Sequence, residues 1–66
     1  MGRIEACMAV LRDVTCTDYT VQWAADYCTG VLGVTMTLAD ARAALARMAY
    51  NGDVVVTGRF VQRVIG

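Results

Sequence analysis

Residues 37–66 read TLADARAALARMAYNGDVVVTGRFVQRVIG, and this stretch decides the fold. Thr37 directly precedes an apolar helical repeat, and Asp40 follows it three positions later. This spacing is typical of a helix N-terminus, where the threonine hydroxyl and an acidic side chain satisfy unpaired backbone amides. Asn51-Gly52 ends the pattern, since glycine readily adopts the left-handed backbone of a helix stop. The stretch therefore predicts a helix over residues 37–50.

A β-hairpin is predicted after this helix. Valines fill positions 54–56 and a β-branched and aromatic run covers residues 60–65, with Thr57-Gly58-Arg59 between them. Two such runs joined through a glycine turn are typical of a hairpin. The alternation of side chains along residues 60–65 does not decide which face of the second strand meets the helices.

The helix over 37–50 has two distinct faces. Leu38, Ala41, Leu45 and Met48 recur at helical spacing, so we expect them to face the core. The remaining face is expected to be exposed, and it consists of Ala39, Asp40, Arg42, Ala43, Ala46, Arg47 and Tyr50.

Two further helices are predicted in the first half of the chain. Residues 4–11 carry an apolar stripe at helical spacing, and a break is expected near residues 13–17. A second helix can begin after Thr17, Asp18 or Thr20, each of which is a competent cap, and Gly30 is its predicted stop. Residues 30–36 contain β-branched residues and are predicted to pair as a short edge strand.

Composition points to one small domain over residues 1–66. The hydrophobic fraction is 58%, against about 45–50% in ordinary soluble domains. No apolar run is long enough to span a membrane and no signal peptide is indicated, so a cytoplasmic protein is expected. The apolar excess has two explanations, a self-association face or an Ala- and Val-rich bias of composition. We favour the first, a homodimer, with the first helix as the expected contact through Cys7, Met8, Val10, Leu11 and Val14.

The residue types argue against catalysis and against a metal site. The chain has no histidine and three cysteines, and none of the cysteines forms a C-x-x-C pair. A disulfide framework and a zinc site are therefore not expected. No nucleotide-binding fingerprint is present, so neither an enzyme nor a cofactor is predicted.

Charge is balanced in total but uneven along the chain. The formal net charge is zero, yet the charges are divided unevenly. Residues 1–36 hold two arginines and four carboxylates, whereas residues 37–66 hold four arginines and two carboxylates. A neutral total argues against strong nonspecific affinity for nucleic acid. The basic half coincides with the predicted helix and hairpin at the C-terminal end.

The order of predicted elements resembles the winged helix-turn-helix superfamily. The matching residues are Thr20-Val21-x-x-Ala24-Ala25 and Leu38-x-x-Ala41-x-x-x-Leu45-x-x-Met48-x-x-x-Gly52-x-Val54. The resemblance covers about residues 4–65 and implies an α+β fold of three helices with a C-terminal β-hairpin wing. It also implies a small DNA-binding protein, either a repressor or an excisionase-like protein of the kind that phages and mobile elements encode.

The resemblance places helix 37–50 in the major groove of double-stranded DNA and the wing 53–65 on the backbone. The DNA-contacting residues that it implies are Thr37, Arg42, Ala43, Ala46, Arg47, Tyr50, Arg59 and Arg63. Arg42 or Arg47 can make a two-pronged contact to guanine or grip phosphate. Arg63 can instead be an edge-strand charge that blocks aggregation.

An alternative remains open from the sequence. The alanine-rich helix face, the neutral charge and the high hydrophobic fraction also fit a winged-helix module that binds another protein and does not bind DNA. Basic side chains that converge on one face would favour DNA binding over this alternative.

Overall fold

A computed structural model describes residues 2–64 as a small α+β domain. Across this range the structure contains three helices and a three-stranded antiparallel sheet. The elements follow one another as α1 (Arg3–Arg12), β1 (Asp18–Thr20), α2 (Val21–Leu32), α3 (Leu38–Tyr50), β2 (Val54–Thr57) and β3 (Phe60–Arg63).

Helix α3 begins and ends where its sequence predicts. The backbone N–H of Asp40 donates to the Thr37 hydroxyl, and the Thr37 N–H donates to the Asp40 carboxylate, both at 3.1 Å. This reciprocal pair is a complete capping box, which satisfies two amides that no helical carbonyl can reach. Gly52 follows the helix with a φ of 86°, a conformation that glycine adopts without steric cost.

Helix α2 begins after Thr20, the last of its three candidate caps, and extends beyond Gly30, where it was predicted to end. The Trp23 N–H donates to the Thr20 hydroxyl at 3.0 Å. The prediction of a stop at Gly30 is wrong, because the helix continues to Leu32 and ends at Gly33, with a φ of 68°. The Gly33 N–H donates to the Thr29 carbonyl at 2.9 Å. The later glycine is therefore the left-handed residue that ends the helix.

The short strand lies before α2, so the prediction of a strand over residues 30–36 is wrong. Residues 30–32 belong to α2, and the chain from Gly33 to Thr37 is irregular. Here the Thr29 hydroxyl accepts from the Met36 N–H at 2.9 Å, and the Met36 side chain is buried. The Met36 N–H is therefore satisfied by a side chain of α2 and not by the backbone of a neighbouring strand.

Strand β3 is the middle strand of the sheet, in the order β1-β3-β2. Its Val61 pairs with Tyr19 on one side and with Val56 on the other. The predicted hairpin is confirmed, and Gly58 at its turn has a φ of 59°.

Arg63 is on this central strand, so the interpretation as an edge-strand charge is wrong. Strand β3 ends at Arg63, and the predicted strand residue Ile65 lies outside the described residues.

One face of each helix and one face of the sheet enclose the core. Its largest fully buried side chains include Leu11, Leu45, Met48, Val21 and Val61. Val61 is buried while Phe60 and Gln62 are exposed. The side of β3 that carries Val61 therefore faces the helices.

Two predictions about burial need correction. Leu38 was expected to face inward, but it is 45% exposed, and Ala44 is fully buried among the inner residues of α3. Leu38 lies in the first turn of the helix, beside a groove rather than over the core. The apolar residues of α1 were expected to form a dimer contact, but Cys7, Met8 and Leu11 are buried within this domain. Val14 is buried as well and Val10 is partly buried, so most of the surface on which that expectation depended is not exposed.

The helices of residues 2–64 are all too short or too polar to cross a membrane.

Candidate nucleic-acid interface

The outer face of α3 is a smooth ridge of small side chains that ends in an aromatic ring. Ala39, Ala43 and Ala46, here called the alanine stripe, are all exposed. Their spacing of four and three residues aligns them along the helix. Tyr50 continues the same line and is 93% exposed. The stripe has no bulky group, so a flat or grooved partner can approach the helix backbone closely.

Arg42 flanks the stripe on the side of the hairpin. Its Nη1 donates to the Gly58 carbonyl at 3.3 Å, although the arginine itself is exposed. The bond joins α3 directly to the hairpin turn. A second hydrogen bond also positions the turn: the Val21 N–H donates to the Arg59 carbonyl at 2.9 Å. The tip of the hairpin is therefore positioned by the starts of both α2 and α3.

Arg47 flanks the stripe on the opposite side, toward α1. Its Nη1 lies 3.3 Å from Glu5 Oε1, and both side chains are about half exposed. A backbone hydrogen bond at Glu5, and then the Arg47 guanidinium, hold the pKa of this carboxyl below its ordinary value. Exposed ion pairs of this kind contribute little to stability and exchange readily for other partners. Arg47 is therefore available to an incoming anion.

The N-terminus of α3 already holds a carboxylate. The Thr37 hydroxyl is engaged in the capping box, and the Asp40 carboxylate also lies 3.4 Å from Arg3 Nη1. The Thr37 backbone N–H is the main cause of the lowered pKa of Asp40, with smaller effects from the Thr37 side chain and Arg3. An anionic ligand at Thr37 would have to compete with this internal carboxylate.

The hairpin tip exposes an aromatic ring beside a cation. The Arg59 guanidinium carbon lies 5.2 Å from the centroid of the Phe60 ring. Phe60 is 57% exposed. Cation–π contact of this type orients the guanidinium without using all of its hydrogen-bond donors.

A shallow groove lies between the hairpin tip and the starts of α2 and α3. Its volume is about 360 Å³, and it brings Arg42 and Arg59 to one rim. Its lining includes the apolar side chains of Val21, Leu38 and Phe60, and sequence reasoning missed the exposure of the last two. The burial of Val61 implies by alternation that Phe60 is exposed, but the place of Leu38 beside the groove follows only from the positions of α2 and the hairpin.

Arg63 is separated from the other predicted contact residues. Its Nη1 donates to the Val14 carbonyl, and the side chain is partly buried on the inner side of the sheet. The structure thus brings Arg42, Ala43, Ala46, Arg47 and Tyr50 to one face and Arg59 beside it. Arg63 is not part of this group, and its guanidinium is used within the domain.

A second groove, of about 550 Å³, lies on the outer face of the sheet. Val55, Phe60 and Gln62 line it together with Thr57 and Asp18. Val55 is 52% exposed, so this face combines apolar surface with neutral polar side chains and the Asp18 carboxylate. Such a surface suits a protein contact better than a phosphate backbone.

Within residues 2–64, no three acidic or cysteine side chains come together as a set of metal ligands.

Comparison with known proteins finds no match to a family model, to a curated protein or to a solved structure.

Proposed function

We propose that this chain is a small DNA-binding protein of the winged helix-turn-helix type, acting as a repressor or excisionase-like regulator. The order α1-β1-α2-α3-β2-β3, with β1 and β2 on either side of β3, is compatible with that layout. In the proposal, α3 enters the major groove and the β2–β3 hairpin is the wing that contacts the backbone.

One observation carries the proposal: the bond from Arg42 to Gly58 ties the exposed face of α3 to the hairpin tip. A helix and a wing that are joined in this way place Arg42 beside the hairpin tip. The groove rimmed by Arg42 and Arg59 extends the same surface. Preorganised cations of this kind bind phosphates with less loss of side-chain entropy.

The alanine stripe gives the proposed helix a defined way to read DNA. An α-helix fits the major groove, and small side chains let its backbone approach the base edges. Ala43 and Ala46 offer methyl groups for contact with thymine methyls, while Arg42 and Arg47 on the two flanks reach guanine or phosphate. Tyr50 at the end of the line supplies a hydroxyl for a phosphate oxygen.

The expected affinity is modest and depends on salt. Three arginines, Arg42, Arg47 and Arg59, remain as proposed contacts once Arg63 is assigned to the Val14 carbonyl. Neutralising three phosphates gives a log–log salt slope of about −3 for a monomer, and about −6 for a homodimer. Useful affinity therefore requires two copies on one DNA site.

Fluorescence anisotropy with a labelled mixed-sequence duplex, titrated from low to physiological salt, tests this function. Arg42→Ala and Arg47→Ala should each weaken binding and reduce the magnitude of the salt slope by about 1 per subunit. Arg12→Ala is the matched control, because Arg12 is similarly exposed and ion-paired, with Asp53, but lies on α1. It should leave the slope unchanged.

Two results would reject the proposal. Absence of binding at low salt would remove the DNA function altogether. An equal effect of Arg12→Ala would mean that binding follows total charge and does not involve the outer face of α3.

The second candidate is a protein-binding module without DNA affinity. The groove on the outer sheet face favours it, since Val55 and Phe60 are more than half exposed there. Val55→Glu would separate the two functions: it should abolish a protein contact on the sheet and leave α3 unchanged. Both candidates describe binding without catalysis, in a chain that has no histidine.

A further inference from the structure

Two buried cysteines meet where α1 packs against α2. The Sγ atoms of Cys7 and Cys28 lie 2.9 Å apart, and both residues are 0% exposed. Both are free thiols, and either can donate the hydrogen between them. The third cysteine, Cys16, is exposed and lies in the segment between α1 and β1. Sequence spacing does not reveal the pair, because its members are 21 positions apart.

The thiols are close to bonding distance. A disulfide has an S–S length of about 2.05 Å, so side-chain movement of roughly 1 Å or less would convert the contact into a bond. Each cysteine is on a regular helix, and the two helices are packed together through the core. A bond between them would therefore link two helices that already pack against each other.

We propose that Cys7 and Cys28 are a site of reversible disulfide formation, which cross-links α1 to α2 in the presence of a small-molecule disulfide. One cysteine thiolate attacks the S–S bond of the oxidant, which releases one small thiol and leaves a mixed disulfide. The second cysteine thiolate then attacks the protein sulfur of the mixed disulfide and releases the second small thiol. Two electrons pass to the oxidant, and the two cysteine protons end on the released thiols.

Burial makes this reaction slow in the closed domain. It raises the pKa of Cys28 to about 12, to which the neighbouring Cys7 contributes, and it also raises the pKa of Cys7. The thiolate is the reactive species, so thiols that stay protonated and enclosed react little. The site is therefore oxidised when α1 moves away from α2, whereas exposed Cys16 reacts directly.

The cross-link should stabilise the domain. It closes a chain segment of about twenty residues and so restricts the unfolded state. For a loop of this size the unfolding equilibrium constant should fall roughly a hundredfold. In a domain of this size the melting temperature should rise by about 10–20 °C.

The proposal is independent of DNA binding, because neither cysteine lies on α3 or in the hairpin. A failed DNA titration would leave it standing, and a failed cross-link would leave the DNA function standing.

The experiment uses the Cys16→Ser variant, in which only one intramolecular disulfide can form. The protein is incubated with oxidised glutathione, with and without mild urea to promote opening, and then analysed by intact-mass spectrometry and thermal denaturation. The expected product is a monomer that has lost two hydrogen atoms, carries no alkylatable thiol, melts at higher temperature and reverts with dithiothreitol. Urea should accelerate its formation.

Two outcomes would overturn the inference. One is that only glutathione adducts or intermolecular dimers form, even in urea. The other is that the cross-linked monomer melts at or below the temperature of the reduced protein, because the bond would then distort the helix packing. The Cys7→Ala, Cys16→Ser variant checks the assignment, since its lone Cys28 should give adducts and no internal bond.

Discussion

The two faces of α3 are built largely from the same residue type and yet have opposite surroundings. Ala41 and Ala44 on the inner face are fully buried, whereas Ala43 and Ala46 on the outer face are exposed. Helical phase, and not the residue type, decides which alanine is buried. The inner alanines let the helices approach closely in the core, while the outer alanines leave a smooth surface between two arginines.

The largest expected difference between the faces comes from removing side-chain volume. Leu45→Ala should destabilise the domain by about 2–5 kcal/mol, because it leaves a cavity at a fully buried position. A chain of this size is stable by only roughly 3–10 kcal/mol, so much of the cooperative transition should be lost. Urea denaturation followed by circular dichroism measures the effect.

Tyr50→Ala is the matched change on the outer face, and it removes an even larger side chain. Because Tyr50 is 93% exposed, the unfolding free energy should change by no more than about 0.5 kcal/mol. A loss comparable to that of Leu45→Ala would break the comparison and indicate that Tyr50 is buried, for instance against a second copy.

Enlarging a side chain should give a smaller difference in unfolding free energy between the two faces than removing one. Ala44→Leu forces three extra carbons into a fully packed site and should cost about 1–3 kcal/mol. Ala43→Leu makes the same chemical change one residue earlier, on the exposed side, and should be close to neutral. Thermal melts of the two variants would make this test, and equal melting temperatures would contradict the assignment of faces.

The cap of α3 should contribute less than the core residues. Thr37→Ala removes the hydroxyl that accepts from the Asp40 N–H and should cost about 1 kcal/mol. Thr35→Ala, an exposed change two residues earlier, is the control and should have little effect. The urea midpoints of the two variants give the comparison, and a Thr37→Ala midpoint equal to that of the control would argue against the capping box.

The smallest expected effect is an acid-dependent loss of stability. The folded-state pKa values of Glu5 and Asp40 are below their ordinary values, so folding favours the charged forms. Their contribution is present above the unfolded-state pKa, about 4, and is lost as the pH falls through the lower folded-state value. Urea midpoints should therefore decrease on acidification below about pH 5, and Asp40→Asn should flatten part of that decrease. A midpoint that rises on acidification would contradict the direction of both shifts.

Local signals were sufficient for the parts of the fold that depend on neighbouring residues. The helix cap at Thr37 and the turn at Gly58 are confirmed, because a cap and a tight turn are set by a few consecutive residues. The sequence offers three candidate caps for the start of α2. The structure identifies Thr20 as the cap, because its hydroxyl accepts from the Trp23 N–H.

The features that could not be predicted depend on distant partners. Strand β1 is only three residues long and exists because β3 pairs with it, so its own sequence is a weak guide. The same is true of Arg63, whose acceptor is the Val14 carbonyl, and of the contact between Cys7 and Cys28. At the candidate site, helical phase predicted the exposure of Ala43 and Arg47. The bond of Arg42 to the hairpin required the tertiary structure.

The central position of β3 has a consequence for synthesis. Asp18 pairs with Gln62, 44 positions further along the chain, so the sheet cannot close until residues 60–63 have left the ribosome. Until then Tyr19 and Val56 lack their common partner, Val61. Distant pairing of this kind slows folding. Emergence of residues 60–63 is therefore the step that allows the three-stranded sheet to form.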